Sequence, residues 1–421
     1  MAEFHQDKII TSIHSLYDVL DPSEYLAAME SKLNGYSAHN KISVLLPAHI
    51  SDVRNSKVMN TIFDKLSQVT YLHEVIVALG GVSEQGEFRK IREHFQLLIR
   101  GVCKIRVVWV DGPRMQEIMQ VISEREISVG TQGKGQSVWL ALGYIFAKDE
   151  SSVVALHDCD IVTYDRTFLA RLVEPTANPD NDIEFCKGFY ARISPTDKAM
   201  KGRVTRLFVT PFVDCCAEIM RNRGFIELHK FFAYHKAFKY PLAGEFCLTT
   251  ELARGINVAW DWSLEVATLS QVFDQLIPRK IAQIDLAKYY EHKHQELSCS
   301  NENAGLHKMV VDIAKFYLTY MRSHGIPLDD AFVDMLIHTY YQNALKYIRL
   351  YSYDAEANSL HFDLYQEEAT ARHFRSFLWT AWEQSKGPHE AKLIPSWNRI
   401  KYALPGIYDQ LIAAVEADHA G

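Results

Sequence analysis

The sequence predicts an α/β protein in which a mainly parallel sheet carries helices on both faces. Short apolar runs alternate with segments of helical periodicity between residues 40 and 300, which indicates a doubly wound sheet. A helical pattern precedes these runs, and another continues from about Ala304 to the end. We therefore expect a helical N-terminal extension (1–39), an α/β domain (40–300) and an all-α C-terminal region (301–421).

The composition is that of an ordinary globular protein. With 421 residues and 48% hydrophobic residues, the chain can bury a large core. No apolar run reaches the ~20 residues of a membrane span, and the N-terminus lacks the basic start and apolar centre of a signal peptide. We therefore expect a cytoplasmic protein. The net charge of -7 offers no basic face for nucleic acid, and the irregularly spaced cysteines disfavour disulfides and zinc.

Two short helices are predicted ahead of the first strand. Apolar residues recur at helical spacing from Asp7 to about Leu33, and Asp21-Pro22-Ser23 is typical of a helix stop and restart. We expect this extension to pack on the main body without a chemical role.

The apolar runs that follow predict buried strands. The first is expected to end at Pro47, because proline cannot donate a hydrogen bond to a neighbouring strand. The predicted strands are Lys41–Ala48, His73–Gly81, Lys104–Val110, Val153–Leu156, Ile183–Tyr190 and Ile281–Leu286.

Long helices rich in aromatic side chains are predicted for the last hundred or so residues. Aromatic residues at this spacing usually form a core or a dimer interface, so we expect a homodimer. The predicted helices are Met309–Tyr320, Asp329–Tyr351, Glu367–Ser385 and a last one near Tyr408–Val415.

Two carboxylates directly follow the strand Val153–Leu156. Asp158 and Asp160 are separated by Cys159 and would lie at the edge of the sheet where ligands bind in open α/β folds. Carboxylates are the ligands that Mg²⁺ or Mn²⁺ prefers, and these ions neutralise diphosphates. Taken alone, the pair also fits a strand cap that opens a loop.

A glycine-rich turn, Gly130–Ser137, precedes a helical segment. Backbone amides at a helix N-terminus favour an anion, and Lys134 would add a positive charge. The turn is not a P-loop, because glycine rather than Ser or Thr follows Lys134. An exposed lysine in a flexible loop is the alternative.

Basic residues crowd the segment Lys198–Arg206 in an otherwise acidic chain. Such a loop could bind a phosphorylated or carboxylated acceptor, since guanidinium groups match those oxygens, although a solvated basic turn is equally compatible.

Downstream, Glu245 and Glu265 lie in apolar or indole-rich surroundings, where an acid is either a satisfied core group or a functional one. His292 and His294 would point to one side of an extended chain, so one of them could bind a metal.

The order of these short motifs resembles the retaining glycosyltransferases that make glucosyl-3-phosphoglycerate, which have the GT-A fold. The resemblance covers about residues 40–296 and depends on the shared order. The motifs are Pro47-Ala48, Gly133-Lys134-Gly135, Asp158-Cys159-Asp160, Lys187-Gly188-Phe189-Tyr190, Gly202-Arg203-Val204-Thr205, Leu242-Ala243-Gly244-Glu245 and His292-Lys293-His294-Gln295.

The resemblance implies transfer of glucose from a nucleotide-sugar, with UDP-glucose as first choice, to 3-phosphoglycerate with the help of Mg²⁺ or Mn²⁺. The implied metal ligands are Asp160 and His292. The implied catalytic residues are Asp158, Asp160, Glu245 and Lys134. The implied donor-binding residues are Pro47, Ala48, Ser83, Lys134, Asp158 and Glu265. The implied acceptor-binding residues are Gly202, Arg203, Val204 and Thr205.

Alternatives remain at this stage. The segments His49–Asp52 and Gly80–Glu84 depart from the family pattern, so another nucleotide, a mannosyl donor or free glycerate is compatible. A haloacid-dehalogenase-like phosphatase would use Asp158 as nucleophile and Asp160 as acid and base. A catalytically inactive protein that binds a nucleotide-sugar is the remaining alternative.

Overall fold

The computed structural model describes residues 5–54, 56–99, 103–291, 305–387 and 392–420. Its strands are β1 (Thr11–Ile13), β2 (Ile42–His49), β3 (Leu72–Gly80), β4 (Lys104–Trp109), β5 (Val153–Leu156), β6 (Phe185–Tyr190), β7 (Ile193–Ser194), β8 (Ala199–Met200), β9 (Phe246–Thr249), β10 (Val258–Ala259), β11 (Ile281–Ala287) and β12 (Leu393–Ile394).

The α-helices are α1 (Pro22–Ser37), α2 (Ile50–Arg54), α3 (Ser56–Leu66), α4 (Gln85–Leu98), α5 (Pro113–Ser123), α6 (Lys134–Lys148), α7 (Arg166–Ala177), α8 (Thr210–Asn222), α9 (Ile226–Ala237), α10 (Thr250–Gly255), α11 (Leu264–Gln275), α12 (Gly305–Ser323), α13 (Asp330–Ala357), α14 (Leu364–Ser385), α15 (Trp397–Ala403) and α16 (Ile407–Ala420). Short 3₁₀ turns lie at Tyr17–Val19 and Pro278–Lys280, and a π-helical turn lies at Val204–Val209.

An eight-stranded sheet organises the described protein, with the strand order β1-β11-β6-β9-β5-β2-β3-β4. Its neighbours are parallel, except that β9 runs antiparallel to both β5 and β6. Alternate residues of β2 face opposite sides of the sheet: Val44 packs in the core that includes α3, α4 and α7, and Leu45 packs in the core of α5, α6 and α16. The predicted α/β architecture with helices on both faces is therefore confirmed.

The C-terminal region is helical, as predicted. Helices α12, α13 and α14 share a third hydrophobic core with α8 and α9, whose buried aromatic residues include Phe212, Tyr317, Tyr340 and Phe374. Among the described residues, no helix is both long and apolar enough to cross a membrane.

The N-terminal segment agrees only in part with the two predicted helices. The second is present as α1, which Asp21 caps by accepting hydrogen bonds from the amides of Ser23 and Glu24. The first prediction is wrong, because Thr11–Ile13 forms β1 and pairs in parallel with β11. Over so few residues, apolar spacing does not distinguish a helix from a strand, and the open edge of β11 supplies the backbone partners.

The predicted end of the first strand is also wrong, since β2 continues through Pro47 to His49. The pairing of β2 with β5 stops at Leu45, opposite Leu156, so no β5 residue needs the amide that Pro47 lacks. The carbonyl of Pro47 instead accepts a hydrogen bond from Cys159 Sγ at 3.1 Å. Strand β9, which is not among the predicted strands, adds a neighbour on the other side of β5.

Helix α16 covers the outer edge of the sheet at β4. The amide of Val107 donates to His419 Nε2 at 2.8 Å, and Arg92 Nη1 donates to the carbonyl oxygens of Asp418 and His419, each at 2.8 Å. The first contact satisfies an amide that the edge strand β4 would otherwise expose, and the Arg92 contacts satisfy carbonyl oxygens at the end of α16.

Protonation of His419 is expected to weaken this contact, because the imidazole accepts the Val107 amide only in its neutral form. Burial and the nearby Arg106 lower the pKa of His419 from 6.5 to about 4. Its contribution to stability is therefore complete above pH 6.5 and is lost as the pH falls through 4, by at most about 3.5 kcal/mol at ~1.4 kcal/mol per pKa unit.

We expect His419→Gln, whose amide oxygen can still accept, to show a shallower decline in the free energy of unfolding between pH 6.5 and 4. Urea denaturation measures this, with His338→Gln at an exposed position of α13 as the control. Equal slopes for the two variants would contradict the prediction.

Candidate active site

A cavity of about 830 Å³ opens at the carboxyl ends of β2, β3 and β5. Its wall also includes the loops Thr131–Lys134, Lys201–Thr205 and Trp260–Trp262 and, from the C-terminal region, side chains of α12 and Lys392. Parallel strands direct the loops that follow them to one edge of the sheet, which is where ligands bind in this fold class.

Lys134 connects two carboxylates on the cavity wall. It begins α6, and its Nζ lies 2.6 Å from Asp158 Oδ1 and 3.1 Å from Glu265 Oε1. Burial opposes the charged ammonium group, but Asp158 and Glu265 outweigh burial and raise the pKa of Lys134. Lys134 therefore stays protonated between a strand end and the first turn of α11.

Asp160 lies on the same wall and is mostly buried. Burial and the charge of Asp158 raise the pKa of Asp160 from 3.8 to about 7. A divalent cation would favour the ionised form of such a carboxylate, so Asp158 and Asp160 fit a site for Mg²⁺ or Mn²⁺. The described residues contain no group of three or more His, Cys, Asp or Glu side chains placed to hold a metal, and His292 lies outside the described residues.

Asp158 is packed against the turn that precedes β9. A Cβ atom at Gly244 would lie 2.6 Å from Asp158 Oδ2, so a larger residue would displace the carboxylate. The main-chain carbonyl oxygen of Asp158 accepts a hydrogen bond from His157 Nδ1 at 2.9 Å. Burial lowers the pKa of His157 to about 4, so this imidazole is neutral near pH 7.

Glu245 lies behind the cavity rather than on its wall. Its side chain is fully buried and accepts hydrogen bonds from the phenols of Tyr190 at 2.6 Å and Tyr290 at 2.7 Å. These two rings stack with centroids 3.7 Å apart, and Lys187 Nζ donates to the carbonyl oxygen of Ala243 at 2.6 Å. Burial and Asp158 raise the pKa of Glu245. This geometry fits a support for the turn beneath Asp158, and the predicted catalytic role of Glu245 stays a prediction.

The basic loop contributes Gly202, Arg203, Val204 and Thr205 to the cavity wall. Gly202 has φ +72°, a left-handed conformation that glycine adopts without strain. Thr205 Oγ1 is buried and has no hydrogen-bond partner in the described part of the chain. Arg206 has a different environment: it donates to Glu367 of α14 at 2.7 and 3.2 Å and supports the loop from behind.

The predicted donor residues divide into two groups. Pro47, Ala48 and Glu265 line the cavity with Lys134 and Asp158. Ser83 is exposed and is not among the lining residues, whereas Gly80 and Gly81 at the end of β3 are.

Comparisons with known proteins identify the family. No family model matches the chain. A glucosyl-3-phosphoglycerate synthase of Persephonella marina is 35% identical over 421 residues, covering 100% of both chains. A second, from Methanococcoides burtonii, is 34% identical over 421 residues and covers 99% of this chain and 98% of its own. The chain belongs to the glucosyl-3-phosphoglycerate synthase family.

A solved structure from this family gives a weaker match. The Mycobacterium tuberculosis synthase, crystallised with Mn²⁺, UDP and glucosyl-3-phosphoglycerate, shares 22% identity and covers 69% of this chain and 83% of its own, with a TM-score of 0.48. The family assignment therefore depends on the two full-length relatives.

Several lining residues of this family member were missed by the sequence analysis. Arg192 follows the end of β6 by two residues, so the rule that directed attention to Asp158 would also have found it. Lys392 was missed as well, and it forms an ion pair at 3.3 Å with Asp261, an acid that the sequence places between Trp260 and Trp262. No sequence signal could have joined these two, since they lie far apart in the chain.

Gly244→Ala is expected to lower kcat by about 100-fold, since its methyl group would displace the Asp158 carboxylate and small misplacements in a site have effects of this size. Gly86→Ala is the matched control, because a Cβ atom at Gly86 meets no atom within 4 Å. Steady-state kinetics with UDP-glucose and 3-phosphoglycerate measure the effect, and circular dichroism checks folding. A folded Gly244→Ala variant with normal kcat would contradict the geometry.

Proposed function

We propose that this protein transfers glucose from UDP-glucose to the 2-hydroxyl of 3-phosphoglycerate, with retention at the anomeric carbon. The observation that carries the proposal is that Asp158, Asp160 and Lys134 share one cavity of about 830 Å³ with the basic loop Gly202–Thr205. Acidic ligands for a cation and basic ligands for an anionic acceptor then line the same cavity. The full-length relatives named glucosyl-3-phosphoglycerate synthase support the same reaction.

Asp160 would hold a divalent cation, with His292 as its predicted second protein ligand. When bound, Mg²⁺ or Mn²⁺ supplies Lewis-acid stabilisation of the departing diphosphate. The pair Asp158 and Asp160 fits such an ion chemically, because carboxylate oxygens are the ligands that Mg²⁺ or Mn²⁺ prefers and a nearby cation would favour their ionised forms.

Lys134 would orient and stabilise the reacting oxygens on the donor side. Asp158 and Glu265 keep its ammonium group charged and in place. A fixed charge in a site shielded from water lowers the barrier by meeting negative charge as it develops on the leaving group.

Retention is proposed to proceed by attack on the same face, with the leaving phosphate taking the proton of the acceptor hydroxyl. Two observations support this route over a covalent intermediate. Glu245 does not line the cavity, and Asp158 forms an ion pair with Lys134. The residues of the site then bind and orient the two substrates, and no protein nucleophile is required.

The phosphatase alternative receives no support. Such an enzyme would need further acids downstream, for which the sequence offers Asp329, Asp330 and Asp334. None of the three lines the cavity, and Asp329 caps α13 by accepting the amide of Phe332 at 2.7 Å. A cytoplasmic location, a homodimer and the division into regions 1–39, 40–300 and 301–421 stay predictions.

A screen of UDP-, GDP- and ADP-sugars against 3-phosphoglycerate and free glycerate tests the proposal. We expect turnover with UDP-glucose and 3-phosphoglycerate in the presence of Mg²⁺. Chelation and Asp160→Asn should each reduce kcat/KM by at least about 100-fold, because the leaving group loses its cation. Full activity in EDTA would contradict the proposed metal. Exclusive use of another sugar nucleotide would show that UDP-glucose is not the donor.

Arg203→Ala is expected to raise the KM for 3-phosphoglycerate by about tenfold or more, the effect of losing one hydrogen bond to a charged group. Binding of UDP-glucose, measured by calorimetry, should stay within about twofold of its original strength. Weakened binding of UDP-glucose with an unchanged KM for 3-phosphoglycerate would show that Arg203 contacts the donor and not the acceptor.

A further inference from the structure

Arg192 differs from the other lysine and arginine residues of the cavity wall in having no carboxylate partner within the described residues. Lys134 pairs with Asp158 and Glu265, Lys201 with Asp197, and Arg203 lies 3.7 Å from Glu367. Lys308 and Lys392 both pair with Asp312. The guanidinium of Arg192 instead donates through Nη1 to the phenol oxygen of Tyr240 at 3.0 Å.

The guanidinium group of Arg192 has a donor to spare. Its Nε atom is buried and has no hydrogen-bond partner among the residues that the structure describes. A buried donor left unsatisfied is costly, and an oxyanion is the group that best completes a guanidinium fork. An oxyanion in the cavity would supply the charged partner that Arg192 lacks among the described residues.

The backbone holds Arg192 in place from both sides. The carbonyl oxygen of Ala191 accepts the amide of Tyr290 at 3.0 Å, and that of Arg192 accepts the amide of Lys201 at 2.7 Å. With Tyr240 fixing the side chain, the guanidinium needs little reorganisation to bind a ligand.

Arg192 also lies at the loop predicted to bind the acceptor. A Cβ atom at Gly202 would lie 3.1 Å from the Tyr240 hydroxyl and 3.6 Å from Arg192 Cδ, so these residues form one corner of the cavity. Thr205 Oγ1, a second buried polar atom without a hydrogen-bond partner among the described residues, belongs to the loop that contains Gly202.

We propose that Arg192 binds an anionic group of the acceptor, its phosphate or its carboxylate, and that Tyr240 positions the guanidinium for this contact. The inference rests on the proposed function, since it takes 3-phosphoglycerate as the acceptor. Both anionic groups present paired oxygens that a guanidinium fork matches.

The test compares Arg192→Gln with Arg192→Lys and with the control Arg279→Gln. The side chain of Arg279 is 70% exposed, and Arg279 does not line the cavity. We expect Arg192→Gln to raise the KM for 3-phosphoglycerate about 100-fold, as for loss of one partner of a desolvated charge pair. The Kd for UDP-glucose and the kcat at saturating acceptor should change by less than about threefold. Arg192→Lys should be intermediate, because an ammonium group keeps the charge but not the fork.

Tyr240→Phe tests the positioning role. It should raise the acceptor KM by about tenfold, the effect of one lost hydrogen bond, and it should add little in the Arg192→Gln background. A full additional increase there would show that Tyr240 acts independently of Arg192 and would overturn that part of the proposal.

Competitive inhibitors separate the two anions. Glycerol 3-phosphate carries only the phosphate group and D-glycerate only the carboxylate. If Arg192→Gln is no longer inhibited by glycerol 3-phosphate, Arg192 binds the phosphate of the acceptor. If it is no longer inhibited by D-glycerate, Arg192 binds the carboxylate.

Failure of the inference differs from failure of the proposed function. If the unmodified protein transfers no glucose to 3-phosphoglycerate, the proposed function fails. If it is active and Arg192→Gln matches Arg279→Gln in acceptor KM, or weakens UDP-glucose binding instead, the inference is wrong. Should Arg192→Gln unfold, Arg192→Lys decides by the same comparison.

Discussion

The ion pairs of Lys134 with Asp158 and Glu265 are the interaction on which the candidate site depends. They join the start of α6, the end of β5 and the first turn of α11, which come from three separate parts of the chain. Each partner would be costly to bury alone, and together they satisfy one another.

Behind Asp158, a second layer of polar groups holds the turn Leu242–Glu245 close to the Asp158 carboxylate. The antiparallel strand β9 brings the turn Leu242–Glu245 under the carboxylate, and Gly244 leaves room for it. Glu245, Tyr190 and Tyr290 satisfy one another in a region without exposed surface. Such a buried network stabilises one arrangement of the turn, because a buried polar group without a hydrogen-bond partner would destabilise the fold by its full desolvation penalty.

The C-terminal helices contribute to the site as well as to the hydrophobic core. Glu367 of α14 binds Arg206 and so supports the loop that contains Gly202 and Arg203. Lys392 forms an ion pair with Asp261, and both residues line the cavity. The cavity is therefore shaped jointly by the sheet and the helical region.

The sequence by itself determined the main strands, the long helices and the identity of the acidic and basic motifs. These follow from local periodicity and from residue types that are adjacent in the chain, such as Val153–Leu156 followed by Asp158 and Asp160. Only the tertiary structure decided that Thr11–Ile13 pairs with β11, that β9 lies between β5 and β6, and that Glu245 lies behind the cavity while Arg192 lines it. The physical reason is that strand pairing, burial and charge pairing depend on neighbours in space, and local sequence does not specify which distant segment supplies them.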